Sequence, residues 1–423
     1  MNYRSRNELA GETRPVLQHL SMGFLGQELN FVSMGPNNIK KILGPIGKEL
    51  QRNNMACTRP LVRIPTKSGE YRIVSLKGYI KHTGLFLSQE ADKKTQARNE
   101  KKIKEQLKSQ DAQLLPCGHC PACKMAAASS WANRMELELP YHENAWFITL
   151  TYDDEHIPLR AVWSEETGEI YTENYSLRYE DMQNFWKKLR RNIEYHKKSC
   201  GQLMYFQCGE YGGKTHRPHY HAIVYDLPIK QEELKIYKKK NGAVYYNVDW
   251  ITKLWGLGYV VIAPAEWKAM AYTARYTTKK VYGKEGKEFY NELGILPEKC
   301  NMSKRPAIGA RYFEEHSKEI YENDKIQLKN GKVCKPPRYF DKLYDTQCLK
   351  KPLTESEVED IELITEKAES DELKAIKRMR RKLANDALFA KLKQNNGLTL
   401  QEYYNKEDQL IQDRFKKLIR NEI

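Results

Sequence analysis

The sequence predicts an α+β fold, an antiparallel sheet flanked by helices, and three observations carry that expectation. Residues 146–152 (WFITLTY) are aromatic and β-branched, as a strand should be. Residues 203–208 (LMYFQC) and 220–225 (YHAIVY) read as two more strands, joined through Gly209, Gly212, Gly213 and Pro218 by a loop of hairpin length. Between the first strand and this hairpin, 180–198 places Met182, Phe185, Trp186, Leu189 and Ile193 on one helical face. A second helix over 266–282 follows the strand-like GYVVIAP, with Trp267, Met270, Ala271 and Ala274 spaced to pack on a sheet. Strand, helix, hairpin, strand, helix is the order of an α+β sandwich and not of a repeat protein.

Composition narrows the function classes. The 423 residues hold 71 Lys+Arg against 55 Asp+Glu, a formal charge of +16, with 40% hydrophobic residues to build a core. Such a surplus points to an anionic partner. Residues 353–423 hold 14 basic and 15 acidic residues, so the phosphate-binding surface belongs to the body before them. The longest apolar run, 259–265, is far short of the ~20 residues of a membrane span, and the opening residues have no signal-peptide character. An odd nine cysteines, three of them within 117–123, fit a reducing compartment and a metal site better than a disulfide framework. The expectation is an intracellular nucleic-acid protein with no membrane association.

Six segments are expected. They are an N-terminal region with a small β element (1–87), a charged helix or linker (88–113), a Cys-rich turn and helix (114–142), the core (143–284), a basic accessory region (285–352) and a charged helical tail (353–423). In the tail, Ile376, Met379, Leu383, Ala387 and Ala390 recur at helical steps, an exposed amphipathic helix for packing or oligomerisation. The basic cluster 377–382 leaves a DNA contact open.

Three constellations could carry chemistry. His219 and His221 stand two apart on a predicted strand, so both imidazoles project from one face. If 210 pairs with 219, then 208 faces 221 and Glu210 joins both histidines, a set suited to Mg2+ or Mn2+ acting on phosphate. The bland alternative is a packed hairpin with satisfied histidines. Tyr272 and Tyr276 are one helical turn apart, with Lys279 and Lys280 a turn further. A phenol becomes a nucleophile only beside a cation or a polarised phosphate, and otherwise these are core or surface tyrosines. Cys117, Cys120 and Cys123 form C-x-x-C-x-x-C, a pattern expected by chance only about 0.004 times in such a chain. Their thiolates suit a structural Zn2+ that still needs a fourth ligand.

Taken together, FITLTYD, GEYG, RPHYHAIVY and YTARYTTKK, with PCGHCPAC, SKRPAIG (303–309) and KPPRYFDKLY (335–344), resemble the replication initiators of Microviridae, especially the gokushovirus branch. The resemblance covers roughly 55–345. These are HUH endonucleases, named for two histidines flanking a bulky residue, here His219, Tyr220 and His221. The resemblance implies an HUH endonuclease core and a rolling-circle initiator acting on single-stranded origin DNA in the cytoplasm of a bacterial host, alongside host helicase and polymerase. By the same resemblance Glu210, His219 and His221 hold the catalytic metal, Tyr272 and Tyr276 are nucleophiles, and Lys279 and Lys280 stabilise phosphoryl charge. Cys57 matches an upstream cysteine of the family and would complete the zinc site, with His119 as substitute. The family usually has Val where Thr273 and Thr277 stand. Arg217, Arg275, Arg305, Arg311 and Arg338 are candidate contacts to DNA, with packing as the alternative. Rival readings are a plasmid or transposon HUH nuclease, a non-catalytic zinc-containing nucleic-acid-binding protein, and a hydrolase that uses water and forms no adduct.

Overall fold

The computed structural model describes residues 57–66, 68, 70–82, 93–109, 111–163, 167–196, 201–213, 215–240, 242–275, 283–329, 331–349, 369–394 and 398–420. Most of the expected N-terminal region, and Tyr276, Thr277, Lys279 and Lys280, lie outside the described residues.

β1 (Leu61–Pro65) pairs antiparallel with β2 (Tyr71–Ser75) and with a later strand, 113–115. α1 (Leu76–His82) and α2 (Lys93–Ser109) follow, and β3 (Gln113–Leu115) closes this small sheet. The charge-rich 88–113 stretch thus contains a helix whose Ile103 and Leu107 are buried with Val62, Leu76 and Tyr79. α3 (Pro121–Glu138) starts with Cys120 as N-cap and Pro121 in its first turn, where a missing N–H costs nothing.

The core elements are β4 (Ala145–Tyr152), the hairpin β5 (Leu159–Trp163) and β6 (Ile170–Tyr175), α4 (Tyr179–Tyr195), β7 (Met204–Tyr211), β8 (Pro218–Tyr225), β9 (Lys235–Lys240), β10 (Ala243–Asn247), α5 (Asp249–Trp255), β11 (Gly258–Pro264) and α6 (Trp267–Arg275). With β12 (Cys300–Met302), which follows α7 (Gly283–Glu292), seven strands form an antiparallel sheet ordered β12-β7-β8-β4-β11-β10-β9. Alternation along each strand divides the core. Ile148, Leu150, Tyr220, Ala222, Val224, Val260 and Ile262 pack under α4 and α5. Phe147, Phe206, Ile223, Tyr225 and Ala263 pack under α3 and α6. The five residues of the sequence-predicted α4 stripe are the five that α4 buries.

Beyond the sheet, α8 (Ala310–Asn323), the short pair β13 (Ile326–Gln327) and β14 (Val333–Cys334), and α9 (Arg338–Leu349) share a third cluster around Phe313 and Phe340. The two downstream matching segments meet here. Gly309 sits at φ 82 with its α-carbon turned to Phe340, whose ring a Cβ would approach to 3.3 Å. The Ile308 carbonyl accepts hydrogen bonds from Arg134 Nε and Nη2 of α3 at 3.1 and 2.7 Å.

α10 (Asp371–Gln394) and α11 (Leu400–Arg420) make up the described tail. The expected stripe of Ile376, Met379, Leu383, Ala387 and Ala390 is not the buried one. α10 buries Leu373 in the Phe313 cluster and Leu388 and Leu392 in the small N-terminal sheet, where Leu400, Tyr403 and Tyr404 of α11 join them. A helix of this length rests its two ends on different bodies, so no single stripe runs along it. Its basic cluster is also engaged: Arg380 Nη1 reaches Asp341 Oδ2 at 2.9 Å and Arg380 Nε reaches Asp324 Oδ1 at 2.8 Å, while Lys377 pairs with Glu369. Among the described residues no helix is long and apolar enough to cross a membrane.

One polar clamp ties α3 to β8. The enclosed His142 ring places Nδ1 2.6 Å from Asp226 Oδ2 and Nε2 3.1 Å from Glu138 Oε1, and lies 4.7 Å from the Tyr225 ring. Burial alone would lower its pKa, but the two carboxylates win and hold it above the ordinary histidine value. A raised folded-state pKa contributes stability in full below the unfolded value near ~6.5, and loses it as pH rises through the folded value. His142→Ala should therefore lower unfolding free energy by about 3–5 kcal/mol at pH 6. It should also flatten the decline of stability above that pH, as read by urea titration across a pH series.

Candidate functional site

The hairpin of β7 and β8 sets the site. Its register pairs Glu210 with His219 and Cys208 with His221, and the neighbouring β4 places Thr149 opposite His221 and Thr151 opposite His219. Glu210, His219 and His221 therefore share the face covered by α3 and α6, each offering a ligand atom within 4.8 Å of the others. Glu210 Oε1 is hydrogen-bonded by His219 Nε2 and lies 3.3 Å from His221 Nε2.

Both rings are oriented from behind. His221 Nδ1 meets Thr149 Oγ1 at 3.0 Å and His219 Nδ1 meets the Arg217 carbonyl at 3.2 Å. A carbonyl only accepts, so the His219 proton sits on Nδ1 and its Nε2 lone pair faces Glu210 when a cation lies between them. Burial pushes the Glu210 carboxyl up, but the two imidazoles outweigh it and hold it down at about 2. It is a carboxylate throughout the physiological range. Two imidazole nitrogens and a carboxylate oxygen form a mixed donor set of the kind that holds a divalent cation with positions left open.

On the other face of the hairpin, Tyr220 anchors the strand. Its hydroxyl accepts from Arg178 N at 2.8 Å and donates to Arg178 O at 2.7 Å, with Tyr152 Oη at 3.2 Å. Opposite it, Gly209 is required: a Cβ there would lie 2.8 Å from Leu177 Cδ2 and 3.1 Å from the Tyr220 ring.

α6 brings Tyr272 to the site. Its ring centroid is 5.5 Å from that of His221 and 6.0 Å from Phe147, and Phe147 stacks on His221 at 5.3 Å. The Arg275 guanidinium lies 5.4 Å over the Tyr272 ring. Thr273, in place of the family's Val, is buried with its hydroxyl donating to Ala269 O at 2.9 Å, so the added polarity is absorbed within the helix. Arg217 reaches Asp154 and donates to Tyr152 O at 3.2 Å beside the hairpin mouth. The other arginines belong to elements outside the triad's three strands. Arg305 and Arg338 stand in the segments before α8 and at the start of α9, while Arg311 bonds Gln202 Oε1 at 3.2 Å. His216 is exposed in the hairpin loop.

Four cysteines form a second group. Cys57, Cys117, Cys120 and Cys123 present sulfurs within 4.8 Å of one another, and exposed His119 is not among them. The backbone N–H groups of Cys117, Cys120 and Cys123 donate to the sulfurs of Cys57, Cys117 and Cys120 at 3.3, 3.3 and 3.4 Å. Hydrogen bonds from Cys123 and Cys57 pull the Cys120 thiol down, while Cys57 is pushed up and Cys123 is pushed up to about 12. Crowding thus sets these thiols against one another, an opposition that a shared cation removes.

Sequence reasoning missed Thr149, Phe147 and Cys208. Cys208 lies beside His221, buried so that its thiol is held well above the ordinary range, and donates to Thr273 O at 3.5 Å. The β-branched alternation of WFITLTY contained the signal for Thr149, but only the strand order shows that β4 lies beside β8.

Residues 145–281, which run from β4 to just past α6, match the family model for the replication-associated protein ORF2. The chain is 34% identical over 234 residues to "Replication-associated protein ORF2" of Spiroplasma virus 4, an alignment covering 54% of this chain and 67% of the relative. The chain belongs to the replication-associated proteins of Microviridae. It is also 28% identical to "Replication-associated protein VP4" of Bdellovibrio phage phiMH2K, over 58% of this chain and 70% of the relative. With "Replication-associated protein ORF4" of Chlamydia phage 1 it shares 30% identity, over 54% of this chain and 53% of the relative. No solved structure matches it.

Tyr220→Phe leaves the Arg178 N–H and C=O without their partner at the start of α4. It should cost about 1–3 kcal/mol of stability in a denaturant titration, without loss of secondary structure.

Proposed function

We propose that the chain is a rolling-circle replication initiator with an HUH endonuclease core, which nicks and rejoins single-stranded DNA at the phage origin in the host cytoplasm. The observation that carries this reading is the meeting of Tyr272 with a Glu210, His219 and His221 donor set, within the segment matched by a replication-associated family model. Origin DNA is the substrate, and the host helicase and polymerase are the partners that extend the free end.

Glu210, His219 and His221 would hold Mg2+ or Mn2+, which polarises the scissile phosphate when bound. Thr149 and the Arg217 carbonyl fix the two imidazoles so that their Nε2 atoms stay directed at that site. The oxygen of Tyr272 or Tyr276 bonds to phosphorus as the bond to the 3′ oxygen breaks. The products are a 5′-phosphotyrosine and a 3′-OH that takes up the proton and primes synthesis. Attack by a 3′-OH on the phosphotyrosine reverses the step and rejoins the strand, and a second tyrosine serves the second transfer. Lys279, Lys280, Arg275 and Arg217 offset charge on the phosphoryl oxygens and the adjoining backbone. Phe147, stacked on His221, excludes water from that side of the ring.

The cysteine group is assigned to a structural Zn2+ held by Cys57, Cys117, Cys120 and Cys123, a closed four-sulfur set with no position for substrate. Metal analysis should return one zinc per folded chain, and Cys120→Ser should lose it together with a cooperative melting transition. A folded preparation free of zinc overturns this assignment.

Incubation with single-stranded origin DNA and Mg2+ or Mn2+ should give a DNA-linked peptide containing Tyr272 or Tyr276 on denaturing gels and mass spectrometry. His219→Ala should reduce adduct formation by at least about 100-fold. Wild-type nicking by the Tyr272→Phe/Tyr276→Phe double variant would sink the mechanism. DNA binding without any adduct would transfer the reading to a non-catalytic zinc-containing nucleic-acid-binding protein.

A further inference from the structure

The strand pair at the edge of the large sheet has no part in the chemistry above. β9 is KIYKKK, and every one of its six residues is exposed. Ile236 and Tyr237 keep 63% and 56% of their surface in solvent, unusual for apolar side chains on a strand. From Lys235 to Asn247 there are four lysines and no acidic residue. Acidic residues lie only at the base of this segment, where Asp249 pairs with Lys235 and Glu232 with Lys230. The charge at the far end is therefore uncompensated along the chain.

The backbone explains why this charge stands clear of the core. β10 joins β11 through one registered pair, Tyr246 with Ile262, helped by Asn247 Nδ2 donating to Val260 O at 2.9 Å. Past a register shift between Tyr245 and Tyr246, the pairs Tyr245 with Lys238, Val244 with Lys239 and Ala243 with Lys240 have β9 and β10 only. The ribbon thus leaves the sheet at the bulge and continues as a two-stranded arm. Lys238 Nζ lies 5.3 Å from the Tyr237 ring and 5.2 Å from the Tyr245 ring, so aromatic faces steady the cation without neutralising it.

We propose that this arm binds double-stranded DNA, inserting along the major groove with Lys238, Lys239 and Lys240 on the flanking phosphates. The occupant follows from charge and shape. A tip of three lysines requires a polyanion, and the major groove, about 12 Å wide, admits a two-stranded β-ribbon. Lysines on an edge strand can also serve only to block pairing with another sheet. That role leaves exposed Ile236 and Tyr237 unexplained, since they add adhesive surface to the same edge. In the sheet order the arm is four strands from β8, about 19 Å from the histidines, so it would grip duplex beside the strand being cut. This inference rests on the proposed action on DNA but not on the tyrosine mechanism.

The test uses the full chain carrying Lys238→Ala, Lys239→Ala and Lys240→Ala, titrated by fluorescence anisotropy with a short duplex and with a single strand of equal length over a salt series. Duplex affinity should fall at least about tenfold, and the slope of log K against log salt should shrink by about 2 to 3. Single-strand affinity and cleavage of a single-stranded origin oligonucleotide should stay within about twofold. The corresponding lysine-to-arginine triple variant should restore duplex binding. Unchanged duplex affinity and slope, or equal loss on duplex and single strand, overturns the proposal. Absence of cleavage by the wild-type chain bears on the nicking reading alone, because the duplex titration needs no catalysis.

Discussion

Pairing of Glu210 with His219, and of Cys208 with His221, places a carboxylate and two imidazoles on the face of the sheet that α3 and α6 cover. The period of a strand is two, so a slip of one residue would drive all three into the apolar layer under α4 and bring Tyr220 out in their place. Interactions on that opposite layer oppose the slip. Tyr220 is held at both backbone groups of Arg178, and Gly209 leaves the space that Leu177 and the Tyr220 ring fill. The bulky residue between the histidines is thus a register pin, and the donor set depends on packing on the far side of the sheet.

Much of this geometry was legible in the sequence because it follows from local periodicity. Two histidines two apart, a hairpin of fixed length and a carboxylate nine residues upstream define one face with no knowledge of the fold. The apolar stripe of α4 was legible for the same reason, since one sheet covers its whole length. What was not legible depends on neighbours distant in sequence. Thr149 acquires its place behind His221 only because β4 inserts between β8 and β11, and strand order is not written in any single strand. Spacing alone could not favour Cys57 over His119, because the strand pairing that returns the chain to residue 117 closes a loop of about sixty residues. The tail stripe misled because α10 touches two bodies in turn.

Those contacts also show that the small N-terminal sheet is a composite. Val62, Tyr79, Ile103 and Leu107 come from the early chain, and Leu388, Leu392, Tyr403 and Tyr404 from its late part. Neither set alone encloses a core. The cysteine group lies at the same seam: Ile411 packs on it, and Asp408 accepts hydrogen bonds from Arg59 Nη2 at 2.8 Å and from Thr58 at 2.5 Å. Early and late segments are therefore one cooperative body, and a change to the late helices is felt at the cysteines.

α3 connects that body to the sheet. Its first turn is capped by Cys120 inside the sulfur group, its last turn carries Glu138 of the His142 clamp, and Ala128, Ala132 and Met135 lie between them against the sheet. At 18 residues it spans about 27 Å. A beam pinned at both ends by polar anchors can neither slide nor roll. Small alanines along its middle bring it close to α6, so the depth of the space above His221 is a dimension of the scaffold and not of a flexible loop. That fixed clearance acts as a gauge on whatever approaches the histidines: an extended strand can lie in it, and a paired helix cannot.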